Sequence, residues 1–161
     1  MKSIARSIAM AASLLAAAAA VNAQVAVKDA WVRATVPNQK ATGAFMTLQA
    51  DKDSKLVSAS SPITPNVEVH EMAMQDNVMK MREVPAIELP AGKPVELKPG
   101  GYHVMLMNLK QQVKEGETVP LTLVIEDKGG QRQSVQVQAT VRGLASDSSK
   151  SGADAHGSHK H

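Results

Sequence analysis

The most regular feature of this chain is an alternation of apolar and polar residues in short segments between positions 25 and 141. Turn residues interrupt the alternation about every eight to twelve positions, which is typical of antiparallel β sandwiches and barrels. No segment in this region has the period of an amphipathic helix. The predicted strands cover residues 25–33, 44–48, 55–60, 67–74, 78–84, 94–97, 102–109, 119–126 and 134–141.

The N-terminal segment has a different pattern. Lys2 and Arg6 precede an Ala-rich apolar run at 8–21. The two positions that a signal peptidase recognises hold the small residues Val21 and Ala23. This order predicts a secretory signal peptide at 1–23, cut after Ala23, and a periplasmic protein. The alternative is a membrane anchor, but the run is shorter than the roughly 20 residues that span a bilayer. We therefore expect no stable membrane insertion after cleavage.

The C-terminal segment differs again. Residues 145–161 are rich in Ser, Asp, Lys and Gly and have no aliphatic residue larger than alanine, so a disordered tail is predicted there. The chain then divides into a signal peptide at 1–23, one β domain at 24–144 and a tail at 145–161.

Charge and cysteine content exclude several classes of function. Without residues 1–23 the chain keeps 16 basic and 15 acidic residues, so no basic surface suggests a nucleic-acid partner. The chain has no cysteine, which excludes thiol redox exchange, zinc–thiolate sites and blue copper. It has no nucleophile motif, phosphate loop or H-E-x-x-H spacing, and we expect no enzymatic activity.

Histidine and methionine cluster in three of the predicted strands. Before the tail, the only histidines are His70 and His103. Six of the seven methionines after residue 23 lie in the same strands, at spacings of two that place them on one face. They are Met72, Met74, Met79, Met81, Met105 and Met107.

The turn between the first two of these strands decides whether their methionines meet. A two-residue turn at 76–77 would place Met72 opposite Met81. The same register would pair Glu71 with Arg82 on the other face, a favourable charge pair. A three-residue loop would instead turn the basic residues of the second strand toward the histidine. The charge pair favours the two-residue turn.

Two interpretations of the cluster remain. Imidazole and thioether donors are neutral and soft, which suits Cu(I) better than Zn(II), Fe or Mn. Methionine also packs well in irregular cores, and core packing is the favoured interpretation for Met46, Met74 and Met107 taken singly. An imidazole on an apolar face costs free energy unless something bonds it, so the two histidines favour a metal site.

The spacing of the cluster resembles a known motif. His70 is followed after ten residues by Met81, after twenty-one more by His103, and after one more by Met105. This resembles the H-x10-M-x21-H-x-M motif of the periplasmic PCuAC-type copper chaperones, and the similarity extends over residues 30–141. Segments 70–74, 78–82 and 97–107 also look like that family.

The resemblance implies a cupredoxin-like, antiparallel Greek-key β sandwich or barrel. It also implies that Cu(I) is bound by His70, Met81, His103 and Met105, with Met72 as an additional or alternate ligand. The implied function is delivery of copper to the dinuclear copper site of cytochrome c oxidase, so the implied partners are the oxidase copper-site subunit and other copper-handling proteins. A copper-sequestering resistance protein is the alternative, since it could use the same ligands.

The tail contains three further histidines, His156, His159 and His161. In a flexible segment they could bind Cu(II), which prefers nitrogen ligands. The alternative is a solvated tail in which they bind nothing.

Overall fold

The computed structural model describes residues 24–144, and this part of the chain is built from β-strands. The predicted all-β class is confirmed. The predicted signal peptide and tail lie outside the described residues, and within those residues no helix is long and apolar enough to cross a membrane. The strands are β1 (Val25–Arg33), β2 (Thr42–Ala50), β3 (Ser54–Ser60), β4 (Asn66–Gln75), β5 (Val78–Glu83), β6 (Ile87–Leu89), β7 (Val95–Leu97), β8 (His103–Met107), β9 (Thr118–Asp127) and β10 (Arg132–Arg142).

One short strand was not predicted. β6 has three residues, Ile87–Leu89, and lies between Pro85 and Pro90. Three residues are too few to establish an alternating pattern, and the prolines indicate turns. Both apolar residues of β6 are nevertheless buried, and the strand pairs with β3.

The strands form one continuous hydrogen-bonded path in the order β5-β4-β8-β2-β1-β10-β9-β3-β6, and β7 pairs with β2. The pairs are antiparallel except for β1 with β10, which is parallel. The path folds over on itself, because β3 packs against β4 and β6 packs against β2. One face of β4, β8 and β2 therefore lines the core, and the other face points outward.

The core is aliphatic. Its fully buried side chains come from both halves of the folded sheet, and burial of each contributes about 1.5–3 kcal/mol. The largest are Met46, Leu48, Leu56, Ile87, Leu89, Leu97, Leu106, Leu121, Leu123 and Ile125. Met46 therefore packs in the core, as predicted.

The β4–β5 hairpin ends the sheet, and every residue of β5 is exposed. Asp76 and Asn77 form its turn with φ of 52° and 63°, the left-handed conformation that a type I′ turn requires. Met72 lies opposite Met81, so the predicted two-residue register is confirmed. On the other face the Arg82 Nε donates to Glu71 Oε1 at 2.7 Å, the predicted charge pair.

Candidate metal centre

Three adjacent strands bring the predicted site residues together. β4 is the central strand, with β5 on one side and β8 on the other. His70 lies opposite Glu83 of β5 and opposite His103 of β8. Residues directly opposite on neighbouring strands project from the same face, so both imidazoles lie on the outward face of the sheet.

The two imidazoles are close to each other and largely shielded from solvent. Their ring centroids are 5.8 Å apart. His70 is 9% exposed and His103 is 5% exposed. One nitrogen of each ring, His70 Nδ1 and His103 Nε2, is buried without a hydrogen-bond partner. A buried acceptor without a partner costs about 1–3 kcal/mol, so this pair is poised to accept a ligand.

The other nitrogen of each ring is held in place. His70 Nε2 lies 2.7 Å from Glu68 Oε2, and His103 Nδ1 lies 3.0 Å from the carbonyl oxygen of Gly101. Each of these acceptors takes a ring N–H, which leaves the lone pair on the opposite nitrogen. A carboxylate or carbonyl behind the imidazole is the usual arrangement for metal-binding histidines.

The protonation state of His103 favours metal binding. Burial holds the pKa of His103 below its ordinary value, the hydrogen bond to Gly101 opposes this, and the neighbouring His70 adds to the lowering. The ring is therefore neutral at pH 7, which is the form that binds metals.

Thioethers flank the imidazoles on the same face. Met105 follows His103 by two residues on β8 and is partly buried. Met72 follows His70 by two residues on β4, and its cross-strand partner Met81 is 48% exposed. Imidazole nitrogen and thioether sulfur form a neutral, polarizable donor set, which suits a soft monovalent ion such as Cu(I) or Ag(I).

Aromatic side chains form the wall on the β2 side. A bulge in β1 places Trp31 opposite Phe45 of β2, with ring centroids 4.6 Å apart. The Phe45 ring lies 6.3 Å from His103 and folds over Gly43, where a Cβ atom would come within 2.8 Å of it. Gly43 thus makes room for the ring that helps to bury His103.

A turn before β8 sets the position of His103. Lys98 and Gly101 close this turn with a backbone hydrogen bond of 3.0 Å, and Gly100 has φ of 83°. Pro99 followed by a left-handed glycine is the pattern of a type II turn. The carbonyl of Gly101 also accepts from the backbone N–H of Met72 at 3.2 Å, which ties the turn to β4.

Residues 25–141 match the model of a family described as LpqE-like lipoproteins. The chain belongs to the LpqE-like family. A relative named as a lipoprotein, Lxx21020 of Leifsonia xyli subsp. xyli (strain CTCB07), is 30% identical over 104 residues. The match covers 64% of this chain and 63% of that relative, so the chain spans less than two thirds of the relative's length.

Solved structures similar to this LpqE-like chain include PCuAC domains and a protein of Deinococcus radiodurans. The copper-bound PCuAC domain from PmoF2 is 26% identical with a TM-score of 0.59, covering 74% of this chain and 92% of that domain. CuI-DR1885 from Deinococcus radiodurans is 36% identical with a TM-score of 0.56, covering 77% and 83%. The apo PCuAC domain from PmoF1, 24% identical with a TM-score of 0.59 and covering 74% and 93%, shows the fold. The predicted resemblance to PCuAC-type proteins and the cupredoxin-like fold class are confirmed.

The structure of this LpqE-like chain corrects two expectations about its methionines. Met74 is 65% exposed at the end of the hairpin, so its interpretation as a core residue is wrong. Met107 is only partly buried on the outward face.

Sequence reasoning missed one residue of the centre. Glu68 was not singled out, although its position two residues before His70 places it on the same face. The tail histidines His156, His159 and His161 lie outside the described residues, so their role stays a prediction.

Proposed function

We propose that this chain is a periplasmic copper chaperone that binds one Cu(I) ion through His70, Met81, His103 and Met105. The observation that carries the proposal is the pair of buried imidazoles, each with one ring nitrogen lacking a partner. The likeness of this chain to a copper-bound PCuAC domain and to CuI-DR1885 supports copper as the metal. The exported, lipoprotein-like family supports a location in the cell envelope.

The imidazoles supply the stronger donors of the proposed site. A metal ion between His70 Nδ1 and His103 Nε2 would satisfy both buried acceptors at once. The thioethers have no proton to lose, burial lowers the pKa of His103 and favours its neutral form, and its hydrogen bond to Gly101 sets the tautomer that leaves Nε2 available. The Glu68 carboxylate behind His70 would stabilise the positive charge without contacting the ion.

The methionines supply the accessible side of the proposed site. Met81 is about half exposed and Met105 is partly buried. An incoming thiolate could join the ion on this side before a thioether leaves. The turns at 76–77 and 98–101 border the same face and would form part of the docking surface.

Delivery follows from the difference between donor and acceptor ligands. Thiolates bind soft metal ions more strongly than neutral thioethers and imidazoles, so Cu(I) would pass downhill to a cysteine-containing site. We propose the dinuclear copper site of cytochrome c oxidase as the acceptor, and other copper-handling proteins as further partners. The chain carries the ion unchanged, so the proposal assigns it no enzymatic activity.

Sequestration is the second candidate, and one observation favours it. Both imidazoles are nearly inaccessible to solvent, and burial of ligands slows their exchange with a competing protein. A storage protein would keep its copper in the presence of thiolate acceptors, whereas a chaperone would release it.

The tail is proposed as a separate, weaker collecting segment. His156, His159 and His161 would bind Cu(II) through their imidazoles, away from the Cu(I) centre. This role is independent of the site in the β domain.

A titration with Cu(I) tests the proposed ligands. With the tail histidines replaced by alanine, we expect one Cu(I) per chain and poor competition by Zn(II). Met81→Leu, which preserves side-chain volume, should weaken Cu(I) binding at least about tenfold, or about 1.4 kcal/mol. Stability of the apo chain should change by less than about 0.5 kcal/mol, because Met81 is a surface residue.

Met107→Leu is the matched control for this titration. It removes a thioether from the same face of β8 but not from the proposed ligand set, so Cu(I) affinity should stay at the wild-type value. Equal losses in both variants, or tighter binding of Zn(II) than of Cu(I), would contradict the proposal.

A further inference from the structure

A second pair of thioethers lies beyond the proposed centre, at the end of the β4–β5 hairpin. Met74 and Met79 are directly opposite each other, next to the residues that flank the turn. They are 65% and 45% exposed. They project from the same face as the Met72–Met81 pair, so the hairpin carries two successive cross-strand pairs of methionines.

Core packing does not explain the outer pair. Its exposed side chains face solvent, and β5 is an edge strand, where exposed apolar side chains invite aggregation. The opposite face of the same hairpin carries the charged residues Lys80 and Arg82, as expected for a protected edge. The methionine face therefore needs a separate explanation.

The Met74–Met79 pair lies too far from the histidines to share a metal ion with them. Successive same-face pairs on a strand are about 7 Å apart, so the Met74–Met79 pair lies about 14 Å from His70 along β4. Long side chains reach across about 7–8 Å, but not across twice that distance. An ion held by the outer pair therefore cannot also be held by His70 and His103, whereas the Met72–Met81 pair is within reach of both positions.

We propose that Met74 and Met79 form a second, weaker site for a soft monovalent ion, Cu(I) or Ag(I), distinct from the histidine centre. Two exposed neutral thioethers select for a soft ion, but they bind it weakly and exchange it rapidly. The pair at Met72 and Met81 would then pass the ion along the hairpin by exchange of one thioether for another, with no electron or proton transferred. This transfer along the hairpin rests on the proposed function, but the existence of the outer site does not.

Methionine-methyl NMR with Ag(I) as the probe tests the outer site. The full chain, with its tail histidines replaced by alanine, is labelled at the methionine Cε methyls and titrated with Ag(I), and with Zn(II) as the hard-ion control. We expect the Met81 and Met105 methyls to shift with the first equivalent. The Met74 and Met79 methyls should shift with the second equivalent and in fast exchange. Zn(II) should leave the Met74 and Met79 methyls unshifted.

Variants separate this inference from the proposed function. Met74→Leu with Met79→Leu preserves volume and should abolish only the binding of the second equivalent of Ag(I), while Met107→Leu should keep the binding of both equivalents. In a chain carrying His70→Asn and His103→Asn, the binding of the first equivalent at the histidine centre should be lost, and the response of the Met74 and Met79 methyls to Ag(I) should persist.

Two outcomes would overturn the inference. One is that the Met74 and Met79 methyls stay unshifted through two equivalents of Ag(I). The other is that they move together with Met81 and Met105 in a single step, which would mean one shared site. A shift of the outer pair with no shift at Met81 and Met105 would instead overturn the proposed centre and leave the outer site standing.

Discussion

The burial of His103 sets the chemistry of the centre at the scale of single residues. Phe45 covers the ring on one side, and the Gly101 carbonyl holds its Nδ1–H. Burial lowers the pKa of His103 and favours the neutral ring, whereas the hydrogen bond opposes this lowering but fixes the tautomer that leaves Nε2 available. The same burial makes protonation of His103 unfavourable in the folded state, and this has a measurable effect on stability.

We predict that the apo chain loses stability as the pH falls below about 6.5, the ordinary pKa of histidine. Burial lowers the pKa of His103 in the folded state, so the unfolded chain binds more protons between pH 6.5 and the folded-state pKa. Stability from this group is therefore complete above pH 6.5 and is lost as the pH falls through the folded-state pKa. Urea unfolding at a series of pH values between 8 and 5 measures the effect.

His103→Asn is the control for this pH dependence. Its amide can replace the donor to Gly101 but does not titrate, so the variant should show a smaller loss of stability on acidification than the wild type. The tail histidines are the same in both proteins and cancel in the comparison. Identical pH profiles would show that His103 is not the group responsible.

The residues that share one face of a strand were predictable wherever they are spaced two apart in the sequence. This pattern alone places His70 with Met72 and His103 with Met105. It does not reveal that Phe45 buries His103, because Phe45 comes from β2, distant in sequence. Nor does it reveal that Met74 is exposed, because a face next to the core and a face beyond the end of the sheet have the same alternation.

At the scale of elements, some strands are positioned by turns that require a residue in the left-handed backbone conformation. The turn at 98–101 requires φ of 83° at Gly100, and it delivers the Gly101 carbonyl to both His103 and Met72. A side chain at Gly100 would meet no atom within 4 Å, so its cost is backbone strain alone. Position 100 is therefore a specific test of whether this turn is built as described.

We predict that Gly100→Ala lowers the free energy of unfolding by about 1–2 kcal/mol, the cost of a left-handed conformation for an L-residue. Gly101→Ala is the matched control, because Gly101 does not have a positive φ and its added Cβ would be in ordinary contact with Lys98 at 3.6 Å. Chemical denaturation of both variants measures the difference. If the two substitutions cost the same, the type II turn is not the feature that Gly100 supports.

The hairpin shows what made an element predictable. Two independent signals, the methionine alternation and the Glu71–Arg82 charge pair, specified one register, and the structure has it. β6 had neither signal, since its three residues between prolines become a strand only by pairing with β3. Its formation depends on tertiary packing rather than on local sequence.

At the scale of the whole molecule, the side chains that stabilise the fold and the proposed metal ligands lie on opposite faces of the same strands. β4, β8 and β2 place Val69, Val104 and Ala44 in the core and the candidate ligands on the opposite face. The aliphatic core therefore does not depend on the presence of a metal. A chain of this kind can be folded when empty and when loaded, as a carrier that releases its cargo requires.

Transfer of copper to a thiolate acceptor is the most direct test of this account. The Cu(I)-loaded chain is mixed with an excess of a reduced, apo copper domain of cytochrome c oxidase, and copper is measured after the two proteins are separated. We expect most of the copper on the oxidase domain and the chain recovered in folded, metal-free form, because cysteine thiolates bind Cu(I) more strongly than the His and Met donors. Copper that stays on the chain for hours in the presence of excess acceptor would contradict delivery and favour sequestration.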